Sequence, residues 1–529
     1  MKNYGNNRAY IIGGGLAGLA AAAYLISDAG MKGKNIHIFD RGPKMGGSFD
    51  GSGNAQSGYI SRGFRMFEDT VYLCSYDLFS KIPSPENPGK NLKDDFFEFN
   101  RKVKQIAKAR LIEGGKPIDA RKMGLSLRDK LALVKFLYLP EKCFGNIRID
   151  EFFSPEFFKT NFWLEWSTTL AFRPWHGLAE MRRYLCRFVQ DAPRMYNMSG
   201  VLSAPYCEHD FVIVPLVKWL KENGVRFENN REVIDLEFEE KDGKKYVTAM
   251  IFGGAGKERI SIPKEDLVLI TNGSMTADST IGSMENAPPQ NTAKDHQNST
   301  AFALWKNLAK KSADFGTPAV FCGSPQKTTW ESFTITFRDP TFINLMEKLT
   351  GNKTGTGGLV TIKDSNWKMT ITIPNQPYFK NQPKGTYVCW GYGLTPENKG
   401  DYVKKKMADC NGKEIIEELC GHLGYQKHVP KILASAVCIP CVMPFITAQF
   451  MPRKKSDRPS VVPAGAQNFA FIGQFVEIPG EIVFTVECSV RSAKIAVKKL
   501  LKRKTRIPAL HQRKYNPLVL AAGIRTILR

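Results

Sequence analysis

Apolar and polar positions follow two rhythms along this chain, short unbroken apolar runs and longer helical stripes, and the first fifty residues hold one of each. Arg8 to Ile12 (R-A-Y-I-I) predicts a short buried strand, which runs directly into Gly13-Gly14-Gly15-Leu16-Ala17-Gly18. Leu19 to Ser27, rich in Ala and Leu, predicts a helix, and Asn35 to Phe39 a second strand ending at Asp40. Residues 85 to about 125 are polar and read as an insertion poor in strands. Leu125–Lys142 and Ile149–Arg187 carry a helical period and many aromatic rings. Phe211–Leu220 reads as a helix and Val225–Phe227 as a strand. Tyr246–Phe252 and Leu267–Thr271 are strand-like, and Gly253–Gly256 reads as a hairpin. Further β pattern covers Phe333–Phe337, Met369–Ile373 and Tyr387–Trp390. A last strand ends at Gly473, with a helix from about Thr485.

Strand, G-x-G-x-x-G, helix, strand and an acid roughly twenty residues past the last glycine form a dinucleotide-binding unit. Gly13 permits the tight turn, Gly15 lets backbone approach a pyrophosphate, and Gly18 lets the helix lie close on the sheet. The helix N-terminus, with Leu16 and Ala17, presents free N–H groups and a positive dipole end to phosphate. Asp40, followed by Arg41, is placed to accept from ribose hydroxyls. The glycine pair of Gly42-Pro43-Lys44-Met45-Gly46-Gly47-Ser48 favours FAD over NAD, because backbone must pass the phosphates and ribityl chain. Arg62-Gly63-Phe64-Arg65 sets two arginines astride a glycine, either near the flavin or an acidic substrate or on the surface. Asn272-Gly273-Ser274 returns the chain to the nucleotide sheet, and Gly473-Gln474-Phe475 closes it beside the flavin.

The expected fold is α/β: a Rossmann-type FAD-binding domain with a β-containing substrate domain, a helical region and a basic C-terminal helical segment. The parts are residues 1–84, 201–290 and 436–497 for the FAD domain, 85–200 for the insertion and helical substrate-site region, and 291–435 for the substrate domain; residues 498–529 form a basic amphipathic tail. A length of 529 residues suits about two to four domains.

The eleven cysteines are scattered and odd in number, as for reduced thiols in a cytoplasmic protein. Cys438-Ile-Pro-Cys441 lies in an apolar segment without a matching second pair, so it reads as structural, and no metal site is expected. The net charge of +24 calls for an anionic partner. Nucleic acid is not expected, since no zinc-finger, RNA-binding or helix-turn-helix signal is present. The charge gathers at the end: from Lys498 onward there is no Asp or Glu, and apolar residues alternate with Lys and Arg. Such a segment reads as an element for an anionic membrane surface, or as a tail packed on the core. No apolar run reaches the roughly 18 residues of a membrane span, and a secretory reading of the N-terminus would destroy the nucleotide unit.

Several stretches together resemble the fatty acid hydratase family, the oleate hydratases, also called myosin-cross-reactive antigens. They are Gly13–Asp40, Arg62–Arg65, Phe162–Phe188, Thr271–Thr276, Trp390–Leu394, Met443–Arg453 and Asn468–Val497. The resemblance implies FAD used without net redox, water added to the cis-9 double bond of oleate and similar acids to give 10-hydroxy acids, and a C-terminal part that meets membranes. It assigns the alkene-protonating role to Tyr184. The family loop R-G-G-R-E-M-E reads Arg62-Gly63-Phe64-Arg65-Met66-Phe67-Glu68 here, so Met66 stands at the water-activating position and Glu68 is the candidate substitute. The carboxylate motif T-x-N-x-x-x-H keeps Thr372 but not the asparagine or the histidine, leaving Asn375 and Tyr378 as candidate donors. His176, in the aromatic stretch, is a further candidate substrate contact. A flavin oxidoreductase on a hydrophobic substrate and a lipid-binding flavoprotein without catalysis stay open as alternatives. The oligomeric state, homodimer or monomer, also stays open.

Overall fold

The computed structural model describes residues 7–254, 258–291, 295, 299–510 and 516–528. Four residues, Ala9–Ile12, form a fully buried strand, and the Gly13–Gly15 turn leads into a helix at Leu16–Ser27. Leu16 to Leu25 are all buried, because the alanine-rich surface lets this helix lie against both the sheet and the later helix Val486–Leu500. A parallel sheet of five strands results, in the order Phe469–Ile472, Leu267–Thr271, Ala9–Ile12, Ile36–Phe39, Arg226–Glu228. A sheet covered on both faces needs apolar strands, and the inner ones supply them, while the edge strand Arg226–Glu228 is polar. The Rossmann-type reading of the first fifty residues therefore holds.

A three-stranded antiparallel meander, Val233–Lys241, Lys244–Phe252 and Arg259–Ser261, flanks that sheet. Gly253 and Gly254 enter the turn between its last two strands, while Ala255 and Gly256 lie outside the described residues.

The second large sheet has eight strands: Thr280–Ile281, Ala436–Met443, Trp330–Phe337, Tyr387–Gly393, Met369–Thr372, Val360–Ile362, Leu111–Glu113 and Lys116–Ile118. Three of its strands depart from the sequence expectation. The polar stretch read as strand-poor supplies the edge hairpin Leu111–Ile118, where Leu111 and Ile112 are buried and the returning strand is largely solvated. Ala436–Met443, expected in the closing part of the nucleotide domain, instead pairs along its whole length with Trp330–Phe337. Cys438 and Cys441 sit in that strand as buried free thiols.

No helix among the described residues is long and apolar enough to cross a membrane. At the C-terminal end, Pro517–Leu528 is helical and packs against the helix Leu127–Tyr138 and the turn Val189–Arg194. Residues 511–515 and 529 of the basic tail lie outside the described residues.

Candidate active site

A cavity of about 690 Å³ runs from the N-terminus of the first helix to the aromatic helices. Gly13, Gly15, Leu16, Ala17, Asp40, Arg41, Gly47, Ser48, Arg62, Gly63, Arg65, Asn272, Gly273, Ser274, Gly473 and Gln474 line its nucleotide end. Gly47 has φ +59°, and a Cβ there would stand 3.0 Å from the Gly15 Cα. A Cβ on Gly15 would find only the Gly47 Cα, at 3.9 Å. The two glycine backbones form a cradle free of side chains at the N-terminus of the first helix, where a pyrophosphate would meet N–H groups. Both side-chain polar atoms of buried Asn272 are without protein partners at its edge. Asp40 accepts from the N–H of Gly14 and of Gly42, each at 2.7 Å, which fixes the carboxylate and leaves one lone pair on each oxygen for a hydroxyl. Residues and orphaned donors thus fit a dinucleotide.

Two expected cofactor contacts do not line the cavity. Gly18 faces inward, where a Cβ would meet the Gly13 carbonyl oxygen at 2.1 Å. Phe475 turns into an aromatic cluster with Phe302, Trp305 and Phe321.

The arginine loop is tied to the cradle. Arg62 donates to Asp50 (2.9 Å) and to the carbonyls of Thr276 (3.0 Å) and Gly47 (3.1 Å). Arg65 donates to the Ser48 carbonyl at 2.7 Å and lies over the Phe49 ring. Its backbone N–H is accepted by Glu208 at 3.1 Å. Burial pushes the Glu208 carboxyl up to about 7, opposed by the nearby Arg65 cation. Nothing in the residue pattern marks Glu208 in advance.

Met66 and Glu68 follow on the cavity wall. Glu68 is buried; its carboxylate accepts from the Thr70 N–H (2.6 Å), the Thr70 hydroxyl (2.8 Å) and the Val71 N–H (2.7 Å). Burial, with Asp69 and Asp191 nearby, nonetheless pushes its pKa up to about 7. Such a carboxyl exchanges a proton near neutrality.

Tyr184 sits on the helix Leu178–Arg187, which is buried on nearly every side although much of it is charged. The helix tolerates this because its charges are paired. Glu180 meets Arg453 (2.9 Å) and Arg458 (3.1 Å), Arg183 meets Glu477 (2.7 Å), and Arg187 meets Glu481 (3.0 Å). Removing one member of such a buried network costs about 3–5 kcal/mol, so the network holds helix and loop 477–485 in one register. In that register the Phe484 N–H donates to the Tyr184 hydroxyl at 2.6 Å. The ring is clamped edge-on by Phe172 (5.3 Å) and Phe450 (5.6 Å). Burial raises the phenol pKa well above its ordinary value, so it stays protonated.

Beyond Tyr184 the wall is apolar and aromatic, with Phe162, Trp166, Leu137, Phe188, Trp330 and Trp390 among its residues. The indole nitrogens of Trp166 and Trp330 have no protein partner. Sequence reasoning did not single out Trp330, and it missed Phe484 because that residue acts through its backbone.

The four expected substrate contacts lie outside the cavity lining. Thr372 is buried in the second sheet opposite Trp390. Asn375 packs against Gly355, and Tyr378 is buried with Tyr59, Cys207 and Phe379, near Glu208 and Arg65. His176 Nδ1 accepts from the Arg173 N–H at 3.0 Å, and its ring is packed between Phe172 and Phe450. Burial keeps that imidazole neutral.

Fold and cavity together define an α/β protein of dinucleotide-binding fold with a cavity lined mainly by apolar side chains. The sequence profile of the MCRA family matches residues 6–498, and the chain belongs to that family. It is 39% identical over 514 residues to the oleate hydratase of Streptococcus pyogenes serotype M49 (strain NZ131), covering 94% of this chain and 86% of that protein. It is 32% identical over 533 residues to the linoleate hydratase of Lactiplantibacillus plantarum, covering 93% of each. Both relatives are hydratases, which places the chain among the hydro-lyases. Among solved structures, cyclohexylamine oxidase from Brevibacterium oxydans IH-35A superposes with TM-score 0.53 at 13% identity, covering 94% of this chain and 99% of that one. Putrescine oxidase gives 0.53 at 9% identity, with the same coverage. At such identities the likeness is one of fold.

Proposed function

We propose that this chain is a fatty acid double-bond hydratase that holds FAD and adds water to cis-9 unsaturated acids such as oleate, giving 10-hydroxy acids. The observation that carries the reading is the arrangement at Tyr184. A protonated phenol, fixed by the Phe484 N–H, shares one cavity with a carboxyl poised near neutrality, Glu68.

An isolated alkene offers no acidic or basic handle, so hydration starts with proton donation. The Phe484 N–H occupies a lone pair of the Tyr184 oxygen and leaves the phenolic proton free to point at substrate. It also stabilises the phenolate that donation leaves behind. As positive charge develops on the neighbouring alkene carbon, a water molecule attacks it and passes a proton to Glu68. Returning that proton to Tyr184 closes the cycle: water is consumed, and no electrons are exchanged. Met66 has no proton-accepting group and contributes apolar wall. Gly13, Gly15, Gly47, Asp40, Arg62 and Arg65 would hold FAD, which when bound supplies a fixed polar wall and charge rather than electrons.

The aromatic arm beyond Tyr184 suits an acyl chain. Leu127, Leu131 and Tyr138, 70%, 58% and 61% exposed, project from a helix that also lines the cavity through Leu137. Arg128, Lys135 and the helix Pro517–Leu528 adjoin them. This apolar, basic face supports peripheral association with an anionic membrane, from which substrate would be drawn.

The test is incubation of purified, FAD-loaded protein with oleate under a mild flavin reductant in heavy-oxygen water, followed by mass spectrometry. Labelled hydroxystearate is the expected product. Bound oleate without product would instead favour the lipid-binding alternative.

A further inference from the structure

Away from the cavity, three ligating side chains converge on one point, and we propose that Asp401, Glu418 and His422 bind a divalent transition-metal ion, with zinc as the best match. None of the three lines the cavity. Glu418 and His422 lie four residues apart on the helix Gly412–Leu423, hence on one face, and Asp401 reaches them from the preceding loop.

His422 is 4% exposed, and its Nε2 stands 3.2 Å from Glu418 Oε1 and 3.3 Å from Asp401 Oδ2. Despite these distances Nε2 has no hydrogen-bond partner: a hydrogen on it would be aligned with neither oxygen. The imidazole is aimed between the carboxylates. Around zinc, with bonds of about 2.0–2.1 Å, tetrahedral ligand atoms stand about 3.3 Å apart. The two measured separations are therefore those of two edges of one coordination tetrahedron.

The surroundings match as well. Asp364 adds a third carboxylate beside the site, its Oδ1 3.9 Å from His422 Nδ1 and so acting by charge, beyond hydrogen-bond reach. Glu418 is oriented by the N–H groups of Asp401 (2.6 Å), Tyr402 (2.8 Å) and Val403 (2.8 Å). Asp401 is held by the Asn366 N–H at 2.9 Å and the Asn366 side-chain amide at 2.7 Å. Three carboxylates surround the imidazole, and Lys368, with Lys363 beside it, lies near Asp401 and Asp364. Asp401, with a side chain 31% exposed, gives an entry path and room for water at the fourth vertex. Bound metal would clip the 398–406 loop to the helix behind the second sheet, a structural role independent of hydration.

The test uses the full-length, flavin-loaded protein after chelator treatment, titrated with zinc chloride by calorimetry and followed by thermal unfolding. Cys143, the exposed thiol, is replaced by Ser throughout. One zinc equivalent and an upward Tm shift are expected. Both should disappear in His422→Gln and Asp401→Asn, and persist in His428→Gln, an exposed neighbour. Asp364→Asn should keep the equivalent and weaken it, since it removes one neighbouring negative charge and no ligand atom. Asp401 and Asp364 are partly exposed, so their variants keep the test valid if His422→Gln does not fold. Absence of a zinc equivalent, or equal binding by all four variants, would overturn the proposal and leave the three side chains as a polar cluster of the fold.

Discussion

The Phe484 backbone N–H donates to the Tyr184 hydroxyl at 2.6 Å, joining the loop after Glu481 to the helix that carries the proposed proton donor. Two chain segments 300 residues apart thus fix one phenolic proton. Tyr184→Phe keeps the ring and its contacts with Phe172 and Phe450 but removes the proton. Hydration should fall by about 10²- to 10⁴-fold, the range for loss of a general acid, with flavin absorbance unchanged. Steady-state rates and the flavin spectrum of one preparation check both halves; retained turnover would remove Tyr184 from the mechanism.

Glu68 makes a pH prediction whose sign follows from its upward shift. A base works when ionised, so activity should rise with pH through about 7 and level off above it. The same shift acts oppositely on stability. The contribution of protonated Glu68 is fully present below the ordinary carboxyl pKa of 4.5 and is lost as pH rises through about 7. Glu68→Gln should flatten the pH–rate profile near 7 and lower the plateau. An unaltered limb near 7 in this variant would show that another group carries the base.

Much of the nucleotide end was legible because its constraints are local. A strand, a glycine turn, a helix and an acid must follow one another closely to make a phosphate cradle, and the spacing records it. The Arg62–Arg65 loop was legible as a motif, but not the Glu208 carboxylate behind it, which arrives from more than a hundred residues away. Phe484 was hidden for a different reason, since a backbone N–H leaves no trace in residue type. Thr372 and Tyr378 belong to a linear motif, whereas their burial depends on how the second sheet packs. The Glu418-x-x-x-His422 spacing was visible in principle, yet it became a ligand set only once the loop carrying Asp401 folded over it.

Gly47 and Gly15 test the cradle directly. Alanine at Gly47 would meet the Gly15 Cα at 3.0 Å and require φ +59° of a residue with a Cβ. Strain of this kind costs about 1–3 kcal/mol, equivalent to about 5- to 150-fold in affinity where it falls on the FAD-bound form. Gly47→Ala should weaken FAD binding by that factor, read from flavin fluorescence quenching on titration into apoprotein. Undiminished affinity would place the pyrophosphate elsewhere.

The exposed row of Leu127, Leu131 and Tyr138 yields the last prediction. Water-facing leucines on a helix that also lines the chamber are costly to a freely soluble protein and useful to one that rests on lipid. Around them Arg128, Lys135 and Arg525 are exposed cations. Each basic residue near an anionic surface contributes about 1 kcal/mol, and the attraction fades within a Debye length of about 8 Å at physiological salt. The protein should therefore co-sediment with phosphatidylglycerol vesicles and far less with phosphatidylcholine vesicles, and should be released as salt rises. Leu127→Glu with Leu131→Glu should abolish sedimentation while leaving turnover of detergent-dispersed oleate intact, because neither residue lines the cavity. Equal sedimentation by this double variant would move the contact to another face; loss of turnover in detergent would show instead that the helix shapes the chamber.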